Sequence, residues 1–142
     1  MRDTTRIHAR LVAAFSGPSS RPLALRGPSG SGKTTLLRRV NSQALRQAVC
    51  LTAFEFVHEL TAAIREDRYR AYSDTLAADQ RPLCIEHLED LRGKPQTRAT
   101  VQRLLERAVR RRPVLLTLTS SSRDAEVARW LRSWTQLLSI KS

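Results

Sequence analysis

Apolar positions along the chain switch repeatedly between two periods. Four short runs, Leu23–Leu25, Ala48–Thr52, Pro82–Leu88 and Val114–Thr119, read as strands. Between them, apolar residues recur every three or four positions, as on one face of a helix. Residues 5–15 carry Ile7, Leu11, Val12 and Phe15 on such a face. After the glycine-rich stretch at 27–34, Leu36, Leu37, Val40, Ala44 and Leu45 follow the same spacing. Residues 53–64 predict a helix with Phe56, Val57, Leu60 and Ile64 inward, and residues 65–80 a polar, partly helical stretch around Tyr69 and Tyr72. Residues 97–112 place Val101, Leu104, Leu105, Ala108 and Val109 on one face and Arg98, Arg103, Arg107, Arg110 and Arg111 on the rest, with Pro113 as the stop. A last helix is expected over 123–138, with Val127, Trp130, Leu131, Trp134 and Leu138 inward.

Strands that alternate with helices predict an α/β fold with a parallel sheet covered on both faces and right-handed crossovers. Breakers cluster at Ser16–Pro22 and at Arg92-Gly93-Lys94-Pro95. No internal repeat, low-complexity tract or long linker divides the 142 residues, so residues 1–142 are expected to form a single domain.

Composition changes this picture in three ways. A hydrophobic content of 41% with 27% charged residues fits a globular chain. No apolar run approaches the roughly 18 residues of a membrane span, and the N-terminus lacks a signal-peptide core. A cytoplasmic location without membrane contact is the expectation. Second, 25 basic residues against 13 acidic ones give a net charge of +12, which suits a polyanionic partner such as nucleic acid. Only Lys33, Lys94 and Lys141 are lysines, and so strong an arginine bias equally fits a GC-rich source. Third, Cys50 and Cys84 each sit in an expected strand without a CxxC neighbour, and read as small core residues. His8 and His58 have no metal-ligand spacing.

The sharpest chemistry lies at residues 27–34, Gly-Pro-Ser-Gly-Ser-Gly-Lys-Thr, a G-x-x-x-x-G-K-T phosphate-binding loop. It follows an apolar strand and opens an amphipathic helix, the context that gives the motif its meaning. Its glycines permit backbone angles that turn successive N–H groups toward phosphate oxygens, and the helix adds its positive end. Gly27, Pro28, Ser29, Gly30, Ser31, Gly32, Lys33, Thr34 and Thr35 are the expected nucleotide contacts. Lys33 is expected on the β- and γ-phosphates, and the Thr34 hydroxyl on magnesium.

Four blocks together resemble one family over nearly the whole chain: Pro22–Thr34, Thr52–Leu60, Leu83–Lys94 and Leu118–Ser120. Their order and spacing are similar to the AAA+ ATPase core of the DnaA/Hda family of bacterial replication initiators. The resemblance implies a P-loop NTPase three-layer sandwich with about five parallel strands, and ATP with Mg2+ as the ligand. It implies a Walker B strand ending at Glu86 and His87, where the family has two acids. Glu86 then supports magnesium with Thr34, and His87 stands where a carboxylate helps to polarise water; a neutral imidazole is weaker in that role because it carries no negative charge, although it can act as a base near neutral pH. Glu89 and Asp90 lie further on, either compensating or forming a solvated turn. Thr119, Ser120 and Ser121 fall on the sensor 1 position, with Ser121 where the family has aspartate. Trp134 falls on the arginine-finger position, with Arg129 and Arg132 nearby. The chain ends at Ser142, before the family's helical lid.

The family's core also touches single-stranded DNA between the second strand and Walker B. The matching stretch here, residues 54–79, holds Arg65, Arg68 and Arg70 with Tyr69 and Tyr72 interleaved. It reads as a stacking and phosphate groove, or as a solvated helix with tyrosines inward. Trp130 and Trp134 read as core, or as a partner surface. The resemblance implies a DnaA-like ATP-binding protein in replication initiation, acting as a switch with weak or no hydrolysis, and a DnaA-like or replication-protein partner. An active ATPase of the helicase-loader or transposon-helper type and a degenerate interaction module are the other readings.

Overall fold

Five short parallel strands make one sheet: β1 Leu23–Gly27, β2 Val49–Thr52, β3 Leu83–Glu86, β4 Val114–Thr119 and β5 Gln136–Ser139, in the order β2-β3-β4-β1-β5. This computed structural model describes residues 9–10, 21–28 and 48–140. The expected helices over 5–15 and after Thr35 lie outside the described residues, apart from Ala9 and Arg10, which are helical and exposed.

β4, Val-Leu-Leu-Thr-Leu-Thr, is buried at its first five positions because it is central and covered on both faces. Its alternate residues face opposite ways. Leu116 and Leu118 join Ala24, Leu83 and Ile85 in a core against the helices, while Leu115 and Thr117 are buried on the other face with Leu25 and Cys84.

Helix α1, Ala53–Arg65, begins with a reciprocal cap. Thr52 Oγ1 accepts the Glu55 N–H at 3.1 Å, and the Thr52 N–H donates to Glu55 Oε1 at 2.9 Å. Ala53, Phe56, Leu60 and Ala63 form its buried stripe. Ile64, expected inward, is 54% exposed because it lies past the edge of that stripe. Helix α2, Tyr69–Ala78, places Tyr69 and Tyr72 against the core. Helix α3, Pro95–Ala108, starts on the predicted turn, where Gly93 takes a positive φ of 72°. Its buried face, Val101, Leu104, Leu105 and Ala108, is the expected one.

The largest correction is at the end of the chain. Helix α4, Ala125–Trp134, stops at Thr135, which is extended (φ −121°, ψ 170°), and residues 136–139 form β5 beside β1. Leu138 is therefore a strand residue paired with Leu25. β3 also ends earlier than predicted: His87 turns left-handed (φ 65°, ψ 49°) into a short 3₁₀ turn, Leu88–Leu91. Cys50, expected in the core, is exposed because β2 is an edge strand; Cys84 on β3 is buried. No described helix is long and apolar enough to cross a membrane.

Candidate functional site

In an open parallel sheet, ligands bind outside the carboxyl ends of the strands. Here that edge gathers Gly27 and Pro28 from β1, Thr52 from β2, Glu86 and His87 from β3, and Thr119 and Ser120 from β4. Ser29, Gly30, Ser31, Gly32, Lys33, Thr34 and Thr35 lie outside the described residues. Their point of departure does not: β1 delivers Gly27 to the edge, and the Gly27 carbonyl accepts the Ser120 N–H at 2.9 Å. The start of the phosphate loop and the expected sensor segment are thus hydrogen-bonded to each other.

A second tie joins β4 to β3. Glu89 reaches back across the edge. Its Oε1 accepts the Thr119 N–H at 2.9 Å, and its Oε2 lies 3.0 Å from His87 Nδ1. The His87 N–H donates to Thr117 Oγ1 at 3.2 Å. These bonds hold His87 in its left-handed conformation, which is uncommon away from glycine and of a kind that clusters at functional sites. With Nδ1–H donated to the carboxylate, Nε2 is the ring nitrogen left to accept a proton. Glu89 is therefore not part of a solvated turn; it orients His87. Asp90 is exposed, and its backbone N–H donates to the His87 carbonyl. Glu86 is half-buried at the end of β3, in register with Thr52.

Burial alone would raise the Glu89 carboxyl, but the Thr119 N–H and His87 outweigh it and hold it below its ordinary value. A carboxyl lowered in the folded state adds stability above its unfolded pKa, and that stability is lost as pH falls through the folded one. Glu89→Ala is expected to lower stability by about 1–2 kcal/mol at neutral pH. Glu89→Gln, which keeps an acceptor for Thr119, should cost less. Urea unfolding at neutral pH and again below about pH 4 checks both, since the wild-type advantage should shrink in acid.

A third tie joins β1 to the turn after β4. Arg26, one residue before the loop, donates from Nε and Nη2 to the two carboxylate oxygens of Asp124, at 2.9 and 3.0 Å. Asp124 is 3% exposed. The pair anchors the turn that follows the sensor segment, in which Ser121 accepts the Asp124 and Arg123 N–H groups. Two signals were available: an arginine inside the apolar run Leu23–Gly27, and an aspartate just before a helical segment.

Arg65, Arg68 and Arg70 are all exposed. Arg68 pairs with Glu66 at 3.0 Å. The tyrosines turn away from them. Tyr69 and Tyr72 pack on the core, and the Tyr72 hydroxyl donates to Glu59 at 3.3 Å. Burial and the Glu59 charge push that hydroxyl well above its usual pKa. The exposed aromatic of this region is Phe54, stacked on His58 with ring centroids 6.5 Å apart. The two border a cleft of about 260 Å3 with Arg65, Leu91 and Lys94.

Trp134, at the expected finger position, is buried, and Trp130 is half-buried. The two rings are 5.3 Å apart, and the Trp130 N–H donates to Gln102 at 2.9 Å. They are core, not an open apolar patch. Arg129 and Arg132 are exposed on α4.

A family model described as AAA ATPase domain matches residues 1–132. No curated protein matches the chain by sequence. Solved structures match its fold. One is the replication initiator DnaA bound to AMPPCP and single-stranded DNA, with a TM-score of 0.69 at 12% identity over 96% of this chain and 45% of that one. Domain III of DnaA from Thermotoga maritima matches with a TM-score of 0.70 at 14% identity, over 96% and 61%. The DnaC helicase loader matches with a TM-score of 0.65 at 14% identity, over 96% and 87%. The chain thus spans about half the length of the DnaA chain bound to AMPPCP and DNA.

Proposed function

Because the chain belongs to the AAA ATPase domain family, we propose that it is a DnaA-like ATP-binding protein that acts in or regulates replication initiation, as a nucleotide-dependent switch with weak or no hydrolysis. One observation carries this reading: β1 runs straight into the G-x-x-x-x-G-K-T loop at the sheet edge where Glu86 also emerges.

The donor set at that edge fits ATP with magnesium. Glu86 is a half-buried carboxylate at that edge, and the motif carries the hydroxyl of Thr34 in its sequence, both oxygen ligands of the kind magnesium takes. The magnesium nucleotide supplies a triphosphate and the charge that offsets it. By the motif, Gly27 to Thr35 would cradle the phosphates, with Lys33 on the terminal ones. Thr119, Ser120 and Ser121 sense the loop through the Ser120–Gly27 hydrogen bond. The ties of Glu89 and Arg26 set where that segment lies.

Weak hydrolysis follows from two residues. His87 replaces an acid, so that position lacks the negative charge with which a carboxylate polarises the attacking water. Trp134 is buried where a finger arginine would project, and such a finger is worth about 10³-fold or more in turnover. The second reading, an active ATPase of the helicase-loader type, draws on the oriented His87 Nε2, which suits a general base. Turnover measured alone, with single-stranded DNA and with double-stranded DNA separates them. Tight ATP binding with negligible turnover supports the switch, and DNA-stimulated turnover supports the loader.

Single-stranded DNA is the proposed nucleic-acid partner, held by Arg65, Arg68 and Arg70; a DnaA-like or replication protein is the proposed protein partner. Reversing Arg68 and Arg70 to glutamate is expected to weaken single-strand binding about tenfold or more and to flatten its salt dependence. Unchanged binding in a fluorescence-anisotropy titration would remove this surface from the account.

A further inference from the structure

The two cysteines are 34 positions apart in sequence and are direct neighbours in the sheet. In the β2–β3 ladder Cys50 is the register partner of Cys84. Register partners in a parallel pair point to the same face, and adjacent strands lie about 4.8 Å apart. That spacing falls within the roughly 4.4–6.8 Å between Cα atoms that a disulfide spans. The two thiols differ in access. Cys50 is exposed on the edge strand, and Cys84 is 2% exposed. An oxidant therefore meets Cys50 first, and the resolving thiol waits beside it.

We propose that Cys50 and Cys84 form a thiol-oxidation site that hydrogen peroxide converts to an intrachain disulfide. The Cys50 thiolate attacks one peroxide oxygen and the O–O bond breaks; with one proton taken up, the products are Cys50 sulfenic acid and water. The Cys84 sulfur then attacks the Cys50 sulfur. The S–O bond breaks, the thiol proton leaves with the hydroxide as a second water, and the S–S bond forms. One peroxide is reduced by two electrons and two thiols are oxidised to one disulfide. The neighbouring Cys84 holds the Cys50 thiol below its ordinary value, against burial and the Glu86 charge, which favours the first step. Among the described residues, β2 pairs in the sheet with β3 alone. Oxidation would fasten this edge covalently, two residues before Glu86.

The test uses the full chain under native conditions. The protein is exposed to a slight excess of hydrogen peroxide, free thiols are alkylated, and tryptic peptides are weighed. The expected result is paired loss of both thiols, a linked Cys50–Cys84 peptide about two hydrogens lighter than its halves, and recovery with dithiothreitol. Cys84→Ser should stop the reaction at a Cys50 sulfenic acid that dimedone traps, and Cys50→Ser should leave Cys84 unoxidised. Three outcomes would overturn the proposal: Cys50 oxidised to sulfinic acid in the wild type while Cys84 stays free, disulfides only between chains, or both thiols unchanged.

Discussion

Replacing Arg112 by methionine is expected to destabilise the fold by about 3 kcal/mol, a fall in melting temperature of roughly 10 °C. Arg112 is 2% exposed, yet it lies in the basic run that ends at Pro113. Its guanidinium reaches the segment between α2 and β3. Nε donates to the Arg81 carbonyl at 2.6 Å and Nη1 to the Leu76 carbonyl at 2.9 Å, while Nη2 lies 3.8 Å from Asp79 Oδ2. It thereby joins the last turn of α2 to the residue before Pro82, where the chain enters β3. A charged donor on a buried carbonyl contributes about 1.5–3 kcal/mol, and removing it leaves the acceptor unsatisfied. Methionine keeps the apolar stem and removes only the fork, so the loss reads the hydrogen bonds rather than the packing. Lysine should rescue little, because one ammonium cannot reproduce the planar fork. Chemical denaturation checks this; a loss under about 1 kcal/mol would mean that water replaces the guanidinium at both carbonyls.

Lys33→Ala is expected to weaken ATP binding by about tenfold or more, because it removes the one full positive charge of the phosphate loop. The loop's backbone N–H groups and glycines are untouched, so stability should change little. The contrast with Arg112 is useful. One variant should lose stability with little loss of binding per folded molecule, and the other should lose binding with little loss of stability. A nucleotide titration beside a melting curve for each variant separates the two effects.

How legible each part was in the sequence follows from where its information lies. Helix α3 was readable because its turn, Gly93-Lys94-Pro95, and its apolar face both lie in a local pattern. The central strand β4 was readable because burial on both faces leaves an almost unbroken apolar run. β5 was not, because Leu131, Trp134 and Leu138 keep helical spacing across the break at Thr135, and only pairing with β1 makes residues 136–139 a strand. The site shows the same division. The phosphate loop is a contiguous motif and could be read directly. The ties from Glu89 to Thr119 and from Arg26 to Asp124 join residues 30 and 98 positions apart, which no local pattern marks. Tyr69 and Tyr72 illustrate the converse: interleaving with arginines placed them in a groove, and core packing turned them inward.

Nucleotide binding at residues 27–35 underlies the function proposed for this chain, and a calorimetric titration of the purified protein with ATP, with and without magnesium, checks it. Saturable binding of one nucleotide per chain, tightened by magnesium and weakened by Lys33→Ala, is the expected result. No saturation by the folded wild-type protein even at millimolar ATP, or equal affinity in the Lys33 variant, would contradict it.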